Sequence, residues 1–178
     1  QYPDIVKIIA VGNEAMVRWQ ASYYVQPNVI LKWVTHLQNL KEKGNLSKDL
    51  WITCSDDFAS WGGGDTSYHN GDLEALIAAV DYISMHTYPF HNTHYSPAFW
   101  EITQEDAEDK TPRQLIDAAM LRARDFAIAQ YNDVKEYMTS LGIKKPIHVG
   151  ETGWATISNG FYGRKGSHAA DQYKQAKY

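Results

Sequence analysis

Four polar clusters each follow a short apolar run: Gly12-Asn13-Glu14, Ser55-Asp56-Asp57, His86-Thr87-Tyr88-Pro89 and Gly150-Glu151-Thr152-Gly153-Trp154. Between them they carry two glutamates 137 positions apart, with an amide, an imidazole, a phenol and an indole as neighbours. Paired carboxylates flanking a cleft suit cleavage of a glycosidic bond. One protonates the departing oxygen, and the other attacks the sugar or activates water. One must stay protonated while the other is ionised, so their surroundings must push the two pKa values apart. A single glutamate after a strand is more simply a helix cap or a surface carboxylate. It is the pair, Glu14 and Glu151, that points to chemistry.

The elements around these clusters alternate. Ile5 to Val11 is nearly continuous in apolar residues and reads as a strand buried on both faces. Pro27 suits a first helical turn, and Val29, Ile30, Trp33, Val34, Leu37 and Leu40 recur at helical spacing until Gly44. Leu50 to Cys54 is a second strand, Ser55 to Gly71 a loop, and Leu73 to Val80 a short helix. Tyr82 to Met85 is a third strand, opening into a long loop from His86 to Lys110. Thr111, Pro112 and Gln114 then form a capping box at the start of a long helix. Its inner face includes Leu115, Ala119, Phe126, Val134 and Leu141, and Gly142 ends it. Pro146 to Val149 is a fourth strand, and a helix begins in Ala169 to Tyr178.

Strands separated by helices pair in parallel, because a parallel crossover needs a dozen or more residues. The fold class is therefore α/β. The pattern predicts that residues 1–178 are a single catalytic-domain fragment, part of a β/α barrel, since a full eight-unit barrel takes about 250 residues. In such barrels the site lies at the carboxyl ends of the strands, where all four clusters fall.

Composition narrows the partners. With 44% apolar residues in 178 the chain can bury a core. The 17 basic and 21 acidic residues are interspersed, which disfavours nucleic acid. No apolar run approaches the roughly 18 residues of a membrane span. The single cysteine, Cys54, sits in an apolar strand and reads as a core residue. The chain is 13% aromatic, with 6 Trp, 12 Tyr and 5 Phe, and such faces suit sugar rings but equally suit cores.

The motifs Val11-Gly12-Asn13-Glu14, Tyr88-Pro89-Phe90 and Gly150-Glu151-Thr152-Gly153-Trp154, in that order, resemble glycoside hydrolase family 17, the β-1,3-glucanases. The resemblance spans almost the whole chain. It implies a (β/α)8 TIM barrel of which this chain supplies about strands four to seven, with Glu14 as acid/base and Glu151 as nucleophile. His86 stands where many members have Asn, and Ala155 where plant members have Pro. The segment His91 to Lys110 is longer than the resemblance leads one to expect, which favours exo-action or a restricted set of subsites.

The same resemblance offers substrate-binding roles. Asn13 would bond the sugar 2-hydroxyl rather than merely cap a turn. Tyr88 would hold Glu151 through its hydroxyl, and Trp154 would floor the sugar site rather than pack the rim. His86 and Asp56 complete the substrate-binding set, Asp56 lying on the predicted cleft loop with Asp57, Trp61 and Tyr68. The spacing of His86, His91 and His94 matches no compact zinc motif, so neither metal nor cofactor is expected.

The expectation is a retaining hydrolase of β-1,3-glucosidic bonds in laminarin-like β-glucan, monomeric, with no nucleic-acid partner, and secreted or periplasmic because its substrate is a polymer. Its rivals are a barrel glycosidase on another β-linked glycan, such as β-1,4-mannan or branched β-1,3/1,6-glucan, and a glucan-binding or inactive fragment.

Overall fold

The computed structural model describes residues 5–92, 110–157 and 170–178. Its elements are β1 (Ile8–Asn13), α1 (Pro27–Glu42), β2 (Trp51–Asp57), α2 (Gly71–Ala79), β3 (Ile83–His86), α3 (Pro89–Asn92), α4 (Pro112–Ser140), β4 (Ile147–Glu151) and α5 (Gln172–Lys177). The strands form one four-stranded sheet in sequence order. The β1–β2 and β2–β3 pairs are parallel. Two compact units are distinguished: Gln1–His86 with Gln130–Gly150, and Thr87–Ala129 with Glu151–Tyr178.

In the first unit, strand alternation sorts the two faces of the sheet. Ile52 and Cys54 of β2, with Ile83 and Met85 of β3, lie in the main core with Ile30 and Val34 of α1, Leu73, Leu76 and Ile77 of α2, and Val134 and Met138 of α4. Each large aliphatic side chain buried there contributes about 1.5–3 kcal/mol of transfer free energy. The alternate residues, Thr53 and Ser55 of β2 and Ser84 and His86 of β3, therefore belong to the other face. On that face, Trp51, Tyr82 and His148 cluster, with ring centroids 4.9–5.9 Å apart.

The second unit has its own smaller core. Phe90, Ala119, Met120, Ala123 and Trp154 are buried together, with Phe126 and Tyr178 against them.

The predicted capping box forms. Thr111 N–H donates to Gln114 Oε1 at 2.8 Å, and Gln114 N–H reaches Thr111 Oγ1 at 3.4 Å. Gly142 follows the helix at φ +72°, the left-handed conformation that glycine adopts without a Cβ penalty.

Three predictions are corrected. The structure does not show the expected burial of the first strand on both faces: in this chain β1 stands first in the strand order and Ile8 is half exposed. In α1 the buried positions are Pro27, Ile30 and Val34, while Val29 and Trp33 fall outside that stripe. The second strand runs on to Asp57, so the predicted loop loses its first three residues, and α2 starts at Gly71 because the Asn70 side chain caps it. The helix expected within Ala169 to Tyr178 is present as Gln172–Lys177, Ala169 itself lying outside the described residues.

Candidate active site

Glu14 is positioned by a defect in β1. Ala10 pairs with Thr53 and Asn13 with Ser55, so β1 spends three steps where β2 spends two. That extra residue is a β-bulge, a device that re-aims side chains near functional sites. Gly12 carries the bend at φ +94°, and a Cβ there would lie 3.2 Å from the Cβ of Ala15. Glu14, directly after β1, has φ +46°, the one non-glycine with positive φ among the described residues. Such a conformation costs about 1–3 kcal/mol and persists only where its surroundings impose it. Here the Glu14 N–H donates to the Ser55 carbonyl at 2.9 Å, and Oε1 lies 3.2 Å from His86 Nδ1.

His86, the last residue of β3, is fully buried. Its Nε2 lies 2.7 Å from Ser55 Oγ, and Ser55 Oγ lies 2.8 Å from Ser84 Oγ. The four side chains Glu14, His86, Ser55 and Ser84 thus form a continuous polar line. Gly150 of β4 leaves room for it, because a Cβ there would sit 2.4 Å from Ser84 Oγ and 3.2 Å from Ser55 Oγ. Trp61 pins the base of the line from below, donating its Nε1 proton to the Ser84 carbonyl at 3.0 Å.

In the second unit, Tyr88 and Glu151 form another pair. The Tyr88 hydroxyl donates to Glu151 Oε2 at 3.1 Å, and the Thr87 N–H donates to the Glu151 carbonyl at 3.0 Å. Tyr88 is itself held by Asn92, whose Oδ1 accepts the Tyr88 N–H at 2.9 Å, and its ring stacks on His91 with centroids 5.3 Å apart. Trp154 packs on Phe90 at 4.7 Å and is 4% exposed, so it offers a sugar no more than an edge. Asn13 ends β1 exposed. His94 and most of the long segment after His91 lie outside the described residues.

Asp56 is corrected. It is not on a cleft loop but in β2, fully buried on the same face as Cys54, where its Oδ2 accepts the Met16 N–H at 2.9 Å. Two-residue periodicity explains the difference: a residue two steps from Cys54 faces the same helix-covered side. Burial pushes the Asp56 carboxyl above the usual carboxylate range, opposed by the Met16 N–H. Burial and the Asp56 charge together push the Cys54 thiol upward, consistent with a core cysteine rather than a nucleophile. Trp61 and Tyr68 stay on the segment between β2 and α2, but their side chains are buried in the core. Tyr68 anchors the segment after Glu14, its hydroxyl accepting the Arg18 N–H at 3.0 Å while the Arg18 guanidinium lies 4.1 Å above its ring.

Sequence reasoning missed Ser55 and Ser84 as site residues, and Gly12 as the bulge. The signal was available for the serines. Alternation from His86 back to Ser84 places both on one face, opposite Ile83 and Met85.

The architecture so far defines an α/β protein with carboxylates at the carboxyl ends of parallel strands, each already held by an aromatic or imidazole partner. No family model matches the chain, and no curated protein does. Among solved structures, it is similar to the crystal structure of an endo-laminarinase from Formosa Hel1_33_131, at 64% identity and a TM-score of 0.93. The likeness covers 98% of this chain and 44% of that one, so the chain spans less than half the length of the endo-laminarinase. No helix among the described residues is long and apolar enough to cross a membrane.

Proposed function

We propose that this chain belongs to a retaining β-1,3-glucan hydrolase of glycoside hydrolase family 17, folded as part of a (β/α)8 barrel and acting within laminarin-like chains. The observation that carries the reading is the 64% identity to an endo-laminarinase over nearly the whole chain. The endo mode is adopted from that neighbour in preference to the exo-action suggested by the length of the segment after His91.

In this reading Glu14 is the acid/base and Glu151 the nucleophile. Glu151 attacks the anomeric carbon while Glu14 gives its proton to the departing glycosidic oxygen, which leaves a glycosyl-enzyme ester on Glu151 and an ionised Glu14. Glu14 then takes a proton from water, whose oxygen attacks the same carbon and releases Glu151. Two inversions give net retention. What supports the assignment is the way each carboxylate is held: Glu14 by His86 Nδ1 and Glu151 by the Tyr88 hydroxyl. A carboxylate that must attack along a defined line benefits from such fixing, since misplacement by about 1 Å can cost on the order of 100-fold. Asn13 is assigned to the sugar 2-hydroxyl. No metal or cofactor is required by this chemistry. We further assign a monomer acting outside the cytoplasm on polymeric glucan, with no nucleic-acid partner.

A substrate panel tests the reading. Linear β-1,3-glucan is expected to be cut to oligosaccharides, with β-1,4-mannan untouched. Glu151→Gln is expected to bind the glucan without turning it over. Cleavage of mannan in preference to β-1,3-glucan would overturn the substrate assignment, and near-normal turnover by Glu151→Gln would remove it as nucleophile.

A further inference from the structure

We infer that Ser55 and Ser84 form a tautomer-setting relay that fixes His86 with its proton on Nδ1, and that His86 thereby acts as a positioning residue reserving one oxygen of Glu14 for proton delivery. The inference rests on the acid/base reading of Glu14 and adds what that reading lacks, a reason for one carboxyl oxygen to differ from the other.

A neutral imidazole has one N–H donor and one acceptor nitrogen, and the bond at one nitrogen decides what the other does. His86 is fully buried, and each of its ring nitrogens faces a polar side chain. Its Nδ1 faces Glu14 Oε1 at 3.2 Å. An acid/base must be ionised for half of its cycle, and in that half a lone pair on Nδ1 would face a carboxylate oxygen. A proton on Nδ1 makes the same contact favourable in both halves: Oε1 accepts as the carboxylate and equally as the carbonyl oxygen of the acid.

The tautomer, assigned here from the network, then determines the rest of the line. With Nδ1 protonated, Nε2 is an acceptor, so Ser55 donates its hydroxyl proton to Nε2 at 2.7 Å. The Ser55 oxygen is left to accept from Ser84 at 2.8 Å. The two hydroxyls point one way, toward the imidazole. Strand pairing supplies the geometry, for Ser55 of β2 is the Cα partner of Ser84 of β3. Gly150 is the third part, since any side chain there would occupy the space of both hydroxyls. With Oε1 held by His86, the acid proton resides on Oε2, the oxygen turned from the imidazole.

Two measurements on the protein test this. The first is long-range nitrogen–proton NMR of the histidine rings, with His86 assigned by its absence in His86→Asn. The expected pattern is a protonated Nδ1 and a bare Nε2. A protonated Nε2, alone or in an imidazolium, overturns the inference. The second is kcat/KM on two substrates that differ in their need for an acid: linear β-1,3-glucan, and a dinitrophenyl β-laminaribioside whose leaving group departs without protonation. Ser55→Ala is expected to lower kcat/KM on the glucan about five- to tenfold, the scale of one hydrogen bond, and to change it less than about twofold on the dinitrophenyl substrate. Equal losses on both would mean that Ser55 serves structure only. Glu14→Gln on the same pair separates the two layers. If its loss is also equal on both substrates, the acid/base reading fails. If its loss is confined to the glucan while the Ser55→Ala loss is not, the relay alone fails.

Discussion

The Tyr88 hydroxyl reaches Glu151 Oε2 across 3.1 Å, and the peptide just before Tyr88 binds the Glu151 backbone through the Thr87 N–H. One short segment after β3 therefore fixes both the main chain and the side chain of the proposed nucleophile. A hydrogen bond to a charged acceptor is worth about 1.5–3 kcal/mol, and its loss at a reacting group translates into about 10- to 100-fold in rate. Tyr88→Phe is expected to lower kcat/KM on linear β-1,3-glucan by that factor. Its melting temperature should stay within about 4 °C of wild type, because the ring packing is kept. A wild-type rate would show that the contact does not hold a reacting carboxylate.

Gly12→Ala tests the bulge. Alanine at φ +94° carries the left-handed penalty of about 1–2 kcal/mol and brings its Cβ to 3.2 Å from Ala15. The melting temperature should fall by about 2–8 °C for a chain of this size. Activity should fall further than the folded fraction does, because the bulge aims Glu14 two residues later. Loss of activity in proportion to unfolding alone would separate the bulge from the aiming of Glu14.

Gly150→Ala places a Cβ 2.4 Å from Ser84 Oγ. Overpacking of this kind costs about 1–3 kcal/mol, read from urea unfolding. Adding Ser84→Ala removes the opposing oxygen, so the double variant should recover part of that cost, a coupling expected of touching residues. Additive losses would contradict the close packing of Gly150 against Ser84.

Asp56 gives a pH dependence. Its carboxyl is raised by burial, so the folded state holds the proton more tightly than the unfolded chain does. Its contribution to stability is therefore fully present below the unfolded value, near pH 3.9, and is lost as pH rises through the raised folded value. Asp56→Asn removes this titration. Unfolding free energies from pH 4 to pH 7 should show wild type losing ground to Asp56→Asn as pH rises. The opposite trend would mean that the Met16 N–H outweighs burial.

Much of this arrangement was legible in the sequence because it depended on local signals. The capping box at Thr111 and Gln114, the stop at Gly142 and the strand preceding each polar cluster are short-range patterns. The pairing of Tyr88 with Glu151 was legible only through the resemblance to a family. What the sequence did not disclose was set by neighbours distant along the chain. Trp33 fits a helical stripe in spacing but lies off the Ile30 and Val34 ridge that meets the sheet. Asp56 resembled a loop residue because β2 ran three residues further than its apolar run, into Ser55, Asp56 and Asp57. In that extension the alternation divided the polar residues, with Asp56 toward the core and Ser55 toward His86.

The most direct test of the account is proton NMR of the protein acting on linear β-1,3-glucan, following the anomeric signals of new reducing ends before mutarotation. Double displacement through Glu151 with Glu14 as acid/base predicts that the β-anomer accumulates first. First appearance of the α-anomer would mean a single displacement by water, and would contradict Glu151 as a nucleophile.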